Sequence, residues 1–205
     1  AAISPTASRT SGLAFTRKYE GNNHDKCVEL VVYGEVAIDL QDYELRLYAN
    51  GNPGISSSDQ LSGSLDPGAV FVVCHPSATG ASPDYTSSTV NFNGNDQIQI
   101  FRTARETPDD VIGINGEHPT VGGTEKALKD NCIIRKDSTS PCTDASTWCP
   151  ESWEVEHDTT NPRKCEFATA PCGDRYNGDG GETVEASPGS QDSSDASTGG
   201  DADQA

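Results

Sequence analysis

The chain has 205 residues, of which 33% are hydrophobic, and its net charge is −18. This length suffices for one domain with its own core, but the low hydrophobic fraction indicates that part of the chain lies outside that core. The charge argues against DNA or RNA as a partner, because phosphate binding needs clustered basic residues and these are few and scattered. No apolar run approaches the length of a membrane span, so no membrane insertion is expected.

The first strand signals follow a small, polar stretch, residues 1–11, which is predicted to be a flexible lead-in. Between residues 12 and 136, runs of β-branched or alternating residues predict strands. The predicted strands are Cys27–Tyr33, Tyr43–Tyr48, Ala69–Cys74, Gln97–Phe101, Val111–Ile114 and Cys132–Arg135. The one helix candidate is short, Thr124–Asp130. Short strands with frequent turns and almost no helical periodicity predict an all-β, antiparallel β-sandwich.

In the first predicted strand, Cys27–Tyr33, alternation predicts that Val28 and Leu30 point to the core while Cys27, Glu29 and Val31 face the other way.

A dense group of side-chain oxygens precedes the fourth predicted strand, in the stretch NFNGNDQIQIF, residues 91–101. These oxygens suit either a ligand site or a tight turn. Asn93-Gly94 ahead of an alternating run predicts a hairpin turn in which Gly94 takes a positive φ. Asp96 is expected to cap this turn through backbone N–H groups and not to hold a metal.

Beyond residue 137 the strand signals fade, and the segment to Cys172 is predicted to be irregular but tied by disulfides. Residues 173–205 are rich in acidic residues, Gly and Ser, which predicts a disordered tail. The best calcium candidate lies there and consists of Asp174, Asn177, Asp179 and Glu182. Their spacing does not match an EF-hand loop, so weak cation binding by the whole tail is the stronger expectation.

The cysteines indicate an oxidising compartment. They are Cys27, Cys74, Cys132, Cys142, Cys149, Cys165 and Cys172. None forms the close CxxC pair of a zinc site, and their number is typical of a disulfide-bonded secreted protein. The connectivity stays open, and the odd cysteine is available for an intermolecular bond. The absence of Met and the small residues at the start predict an extracellular or cell-surface protein whose signal peptide has been removed, the alternative being a fragment of a longer chain.

Six segments in order carry a family resemblance. They are CVELVV (27–32), VAIDLQDYEL (36–45), LSGSLDPGAVFVV (61–73), NFNGNDQI (91–98), DDVIG (109–113) and DNCIIRK (130–136). Together they resemble the lamin tail domain family, in its secreted form, over residues 12–160. The resemblance implies an immunoglobulin-like β-sandwich. Composition places a Cys-containing extension at 161–172 and the acidic tail at 173–205 after it. Its signature positions here are Glu29, Asp39, Leu40, Tyr43, Pro67, Gly68, Asn93, Gly94, Asp96, Gly113 and Arg135.

No catalytic constellation accompanies these signals. The histidines, His24, His75, His118 and His157, stand beside turn residues, and no nucleophile motif or nucleotide-binding loop is present. We therefore expect neither catalytic residues nor enzymatic activity, and no cofactor beyond weakly bound Ca²⁺.

The expected function is that of an extracellular structural or adhesion module. Such a module would be a building block of a cell-surface fibre, appendage or matrix, and it would assemble through its sandwich surfaces and chain termini. Its expected partners are proteins, by self-association or within a larger extracellular assembly. The resemblance also implies an alternative, an accessory binding domain of a secreted hydrolase such as a nuclease or phosphatase, with the catalytic part absent from this chain.

Overall fold

The computed structural model describes residues 11–21, 23–79, 81–105, 107–136 and 140–156. Within these residues the chain forms strands and two short 3₁₀ helices, Leu40–Asp42 and Pro150–Ser152. The strands are β1 (Gly12–Glu20), β2 (Lys26–Tyr33), β3 (Ile38–Asp39), β4 (Tyr43–Tyr48), β5 (Ser57–Gln60), β6 (Ser64–Leu65), β7 (Val70–Cys74), β8 (Tyr85–Thr86), β9 (Gln97–Arg102), β10 (Pro108–Ile112), β11 (Cys132–Arg135) and β12 (Trp153–Val155). The prediction of an all-β protein is confirmed. The predicted extension and tail, including Cys165 and Cys172, lie outside the described residues.

Two sheets share one hydrophobic core. The first has the strand order β12-β11-β1-β2-β7-β8 and the second β10-β9-β4-β5, while β3 and β6 form a separate two-stranded ribbon. All pairs are antiparallel except β7 with β8. Leu13, Phe15, Val28 and Leu30 of the first sheet lie in the same buried cluster as Leu45, Leu47, Ile98 and Ile100 of the second. Each such side chain contributes roughly 1.5–3 kcal/mol through its burial.

Strand β2 is buried on both faces. Val28 and Leu30 point into the shared core, as alternation predicts. Cys27 lies on the opposite face and packs there against Val72 and Cys74 in a second, smaller cluster. Cys27 and Cys74 are directly paired across β2 and β7, and they form a disulfide.

All six predicted strands are present, but β1 escaped prediction although it lies between β2 and β11 in the middle of its sheet. A β-bulge between Phe15 and Arg17 breaks its alternation. Leu13 and Phe15 face the core before the bulge. After it, Lys18 takes the inward position, directly opposite the core residue Val28. Because the inward-facing positions shift by one residue at the bulge, the sequence of β1 shows no continuous alternation.

The helix predicted at Thr124–Asp130 is wrong. The segment is a series of turns, in which Lys126 and Asp130 have positive φ values of 52° and 53°. Ala127 and Leu128 are buried against the shared core. A stretch this short has little intrinsic helical stability, so these core contacts decide its conformation.

The hairpin predicted at Asn93-Gly94 is also wrong, because the stretch leads from β8 of one sheet to β9 of the other. The Asp96 N–H donates to the Asn93 carbonyl at 2.9 Å, which closes an ordinary turn, and Gly94 does not have a positive φ. Glycine is required there for space, since a Cβ would lie 2.8 Å from Cα of Lys129.

A turn with positive φ at both central residues occurs instead at Asn50-Gly51. These two residues have φ values of 57° and 75°, and the Asn52 N–H donates to the Ala49 carbonyl at 3.1 Å. This geometry is that of the type I′ turn that was expected at Asn93-Gly94.

Residues 140–156 are the described part of the segment that is predicted to be irregular but tied by disulfides, and they contain both a disulfide and a strand. Cys142 and Cys149 form a disulfide, and the chain then returns to the first sheet as β12, which pairs with β11. Trp153 of β12 is fully buried in the core. Cys132 is disulfide-bonded as well.

Candidate functional site

Three groups of charged side chains, each built around at least one buried member, stand out among the described residues, and each lies at a different place in the fold. We call them the arginine pair (Arg135 and Asp110), the arginine end cluster (Arg102, Arg105 and Asp109) and the lysine cluster (Lys18, Glu20 and Lys26). Burying a charge is costly unless it is paired and hydrogen-bonded, so each group requires an explanation.

The arginine pair joins the two sheets, because Arg135 lies on β11 and Asp110 on β10. The Arg135 guanidinium binds the Asp110 carboxylate, donates to the Phe15 carbonyl at 2.7 Å and lies 4.4 Å above the Trp153 ring. Asp110 also accepts from the backbone N–H groups of Phe15 and Cys142, each at 2.8 Å. Burial raises the pKa of Asp110, while Arg135 and the backbone donors oppose that shift. The pair therefore ties β1, β10, β11 and the Cys142–Cys149 loop together.

The arginine end cluster lies where β4, β9 and β10 meet. Arg102 binds the Tyr43 hydroxyl, and its guanidinium is 2.8 Å from Asp109. Arg105 approaches the other oxygen of Asp109 at 3.1 Å. Burial raises the pKa of the Tyr43 phenol, so this hydroxyl remains protonated and is a stable hydrogen-bonding partner.

The lysine cluster lies on the core-facing side of the first sheet, at the end where β1 continues into β2. The bulge in β1 turns Lys18 and Glu20 inward, and Glu20 stands directly opposite Lys26 of β2. Lys18 is 2% exposed, and Glu20 and Lys26 are each 4% exposed. Fully buried lysines are rare, and two beside one carboxylate are unusual.

The contacts of the two lysines differ. The Lys18 amine is 2.9 Å from Glu20 Oε2, donates to the Leu128 carbonyl and lies 4.5 Å from the centre of the Phe92 ring. Burial lowers the pKa of Lys18, and the neighbouring Glu20 opposes this shift. The Lys26 amine is 3.5 Å from Glu20 Oε1, donates to the Phe92 carbonyl and lies 3.4 Å from the side-chain oxygen of Asn93.

The stretch NFNGND therefore divides its polar groups between two roles. Asp96 Oδ1 accepts from the Asn50 N–H at 2.9 Å, and its Oδ2 accepts from the Asn93 N–H at 2.6 Å. The carboxylate thus caps backbone groups, as expected of it. The amide side chain of Asn93 faces Lys26, and this is the chemically interesting contact of the stretch.

The remaining signature residues are spread over the fold and form no single site. Asp39 caps the first 3₁₀ helix through the Gln41 N–H at 2.9 Å, and Leu40 lies in the core. Glu29 accepts from the Thr16 hydroxyl at 2.7 Å.

Two signature glycines serve turns and close approaches. Gly68, after Pro67, has a φ of 75° in the turn that leads into β7. Gly113 has a φ of 85°, and a Cβ there would lie 2.5 Å from the Asp96 carbonyl oxygen.

Two of the described histidines, His24 and His75, lie against each other. His24 and His75 stack with their ring centres 4.3 Å apart, beside the Cys27–Cys74 disulfide. Burial, and then His24, lower the pKa of His75. In the described part of the chain no group of three or more His, Cys, Asp or Glu side chains is placed to hold a metal ion. His157 lies outside that part, as does the calcium candidate at Asp174, Asn177, Asp179 and Glu182.

Sequence reasoning missed the lysine cluster. Its only sequence signal is the alternation Lys18-x-Glu20 followed by Lys26, which is common on solvated strands. The bulge and the pairing of Glu20 with Lys26 create the cluster, and neither is visible without the strand register.

No protein-family model and no curated protein matches this chain. Among the residues that the structure describes, none belongs to a helix long and apolar enough to cross a bilayer. Inferences about function therefore rest on the contacts of this molecule.

Proposed function

We propose that this protein is an extracellular structural or adhesion module on a lamin-tail-like, immunoglobulin-like β-sandwich, and that it is a building block of a cell-surface fibre, appendage or matrix. The observation that carries the proposal is that buried charges hold neighbouring elements together. Arg135 and Asp110 connect the two sheets, and Arg102 holds Tyr43 and Asp109 at one end. Disulfides add to this cohesion. Such internal bracing suits a structural role.

The lamin-tail-like assignment is supported by the places that the signature residues take. Asp39 caps the 3₁₀ helix that precedes β4, and Pro67-Gly68 makes the turn into β7. Arg135 closes the arginine pair from β11. These residues determine the fold. A family signature that consists of such positions describes a fold and no catalytic chemistry.

Strand β5 is the proposed assembly surface. It is the outermost strand of the second sheet, and its side chains alternate between half-buried and exposed. An edge strand offers unpaired backbone groups to an incoming strand, either from a second copy or from another component of the assembly. The exposed N–H groups belong to Ser58 and Gln60, because the Leu61 N–H donates to the Tyr43 carbonyl and donors alternate along an antiparallel pair.

Light scattering of the native protein tests this proposal. We expect a species larger than the 21.6 kDa monomer, and Ser58→Pro should return it to the monomer by removing an outward N–H group. The matched control, Ser58→Ala, retains this N–H and should assemble as the wild type does. A purely monomeric wild-type protein would contradict assembly. A single native polypeptide much heavier than 21.6 kDa on a denaturing gel would instead favour an accessory domain of a larger enzyme.

A further inference from the structure

The lysine cluster carries an imbalance of charge. Two buried ammonium groups, those of Lys18 and Lys26, share the one carboxylate of Glu20. Asp96 also acts on Lys18 electrostatically, but its carboxylate oxygens accept hydrogen bonds from the backbone N–H groups of Asn50 and Asn93. A second cation held against a single carboxylate is unfavourable in a water-poor site, so a reaction that removes one positive charge would relieve the cluster.

The groups around Lys26 are arranged for acyl transfer. Its amine is 3.4 Å from the side-chain oxygen of Asn93 and 3.5 Å from a carboxylate oxygen of Glu20. The Phe92 carbonyl accepts a hydrogen bond from the same amine and so directs it towards the Asn93 side chain. A lysine becomes nucleophilic when it gives up its proton, and here a carboxylate oxygen of Glu20 lies within reach of the buried Lys26 amine to take it.

Both reactants are also held in place. Lys26 precedes Cys27, whose disulfide to Cys74 fixes the N-terminal end of β2. The backbone of Asn93 is held by Asp96 on both its N–H and its carbonyl. Fixed geometry of this kind replaces the entropy loss of a bimolecular encounter, which is a large part of the advantage of well-aligned intramolecular reactions.

We propose that Lys26 and Asn93 join spontaneously in an intramolecular isopeptide bond, with Glu20 as the proton carrier. Glu20 first accepts one proton from the Lys26 ammonium group. The neutral amine then attacks Cγ of Asn93 and forms the Nζ–Cγ bond. A second proton passes from Nζ to Nδ2, the Cγ–Nδ2 bond breaks, and Nδ2 leaves as ammonia. The proton on Glu20 follows as the ammonia becomes ammonium, and no oxidant or cofactor is consumed.

The product balances the charge of the cluster. The new amide is neutral, so one ammonium, that of Lys18, remains with the one carboxylate of Glu20 at 2.9 Å. The bond also links β2 to the loop that leads into β9, and thus connects the two sheets covalently. This link would complement the Cys27–Cys74 disulfide, which joins strands within one sheet.

Mass spectrometry of the full-length protein, reduced and denatured, tests the proposal. We expect the wild-type chain to weigh one ammonia less than its sequence, and a proteolytic digest to contain one branched species joining the Lys26 and Asn93 peptides. Asn93→Ala, Lys26→Met and Glu20→Gln should each have the full mass of their sequence and no branched species. The Asn93 side chain lies at the surface, so Asn93→Ala tests the bond even if the two buried variants fail to fold.

Two controls make the outcome decisive. Asn95→Ala changes the neighbouring asparagine, whose backbone carbonyl accepts from Gly116, and it should retain the branched species. A succinimide at Asn93-Gly94 would also lose one ammonia, but it leaves Lys26 and Asn93 on separate peptides and is cleaved by hydroxylamine. Separate peptides, whether with the full mass or with a succinimide, would overturn the proposal.

Discussion

The arginine pair and the lysine cluster both bury charged side chains, but only the arginine pair is balanced. Asp110 meets one guanidinium and several backbone donors, so its charge is fully matched. Glu20 meets two ammonium groups and matches one of them. A balanced buried pair is explained by structure alone. The unbalanced cluster, which contains a nucleophile and faces an amide, is where chemistry is expected.

Breaking the balanced pair should have the largest effect. Asp110→Ala leaves the Arg135 guanidinium buried without its partner, which we expect to lower the free energy of unfolding by about 3–5 kcal/mol in urea denaturation. Glu44→Ala is the matched control, because Glu44 pairs with Arg46 in a half-exposed position, and its effect should stay below about 1 kcal/mol. Equal effects of the two variants would show that burial does not set the strength of the arginine pair.

Removing Lys18 distinguishes an acylated Lys26 from one that remains an amine. If Lys26 is acylated by Asn93, Lys18 is the only cation beside Glu20, and Lys18→Met should cost about 3 kcal/mol by leaving a carboxylate unpaired. If Lys26 remains an amine, it replaces Lys18 and the variant should be nearly neutral. Lys129→Met, at an exposed position, controls for the loss of a lysine elsewhere in the same chemical denaturation series.

Substituting Gly94, which lies against the turn at Lys129, should have an intermediate effect on stability. Gly94→Ala places a Cβ 2.8 Å from the Lys129 backbone, and the forced shift should destabilise the fold by about 1–3 kcal/mol. Gly54→Ala, where nothing lies within 4 Å of the added Cβ, should change thermal stability little. If both substitutions were neutral, the close approach would not determine the position of this turn beside the lysine cluster.

The smallest expected effect is a pH dependence at the stacked histidines, beside the lysine cluster's Lys26. The pKa of His75 is lowered from 6.5, so near and below that pH the unfolded chain binds more protons than the folded one. Stability should therefore fall as the pH drops through this range. His75→Gln should weaken the fall in melting temperature. An unchanged pH profile in this variant would assign the dependence to other groups.

Sequence reasoning predicted the strands whose side chains alternate or are continuously apolar, such as β4 and β7. It missed β1 because the bulge after Phe15 changes which residues face inward. It placed a helix at 124–130, where contacts of Leu128 with the core override a weak local preference.

The candidate site was beyond prediction for a related reason. Asp96 was assigned to backbone groups because an aspartate beside a turn has that role locally. The meeting of Lys26 with Glu20 and Asn93 depends on strand register and on a loop that crosses between the sheets. Long-range pairing of this kind leaves no periodic pattern in the sequence.

The most direct measurement of the central claim is the chemical state of the Lys26 side-chain nitrogen. In protein labelled with ¹⁵N at lysine side chains, an isopeptide bond converts one Nζ from an amine to an amide. We predict one amide-type side-chain N–H signal in nuclear magnetic resonance spectra, which persists in denaturant and is absent from Asn93→Ala. A wild-type spectrum in which every lysine Nζ is of the amine type would contradict the claim.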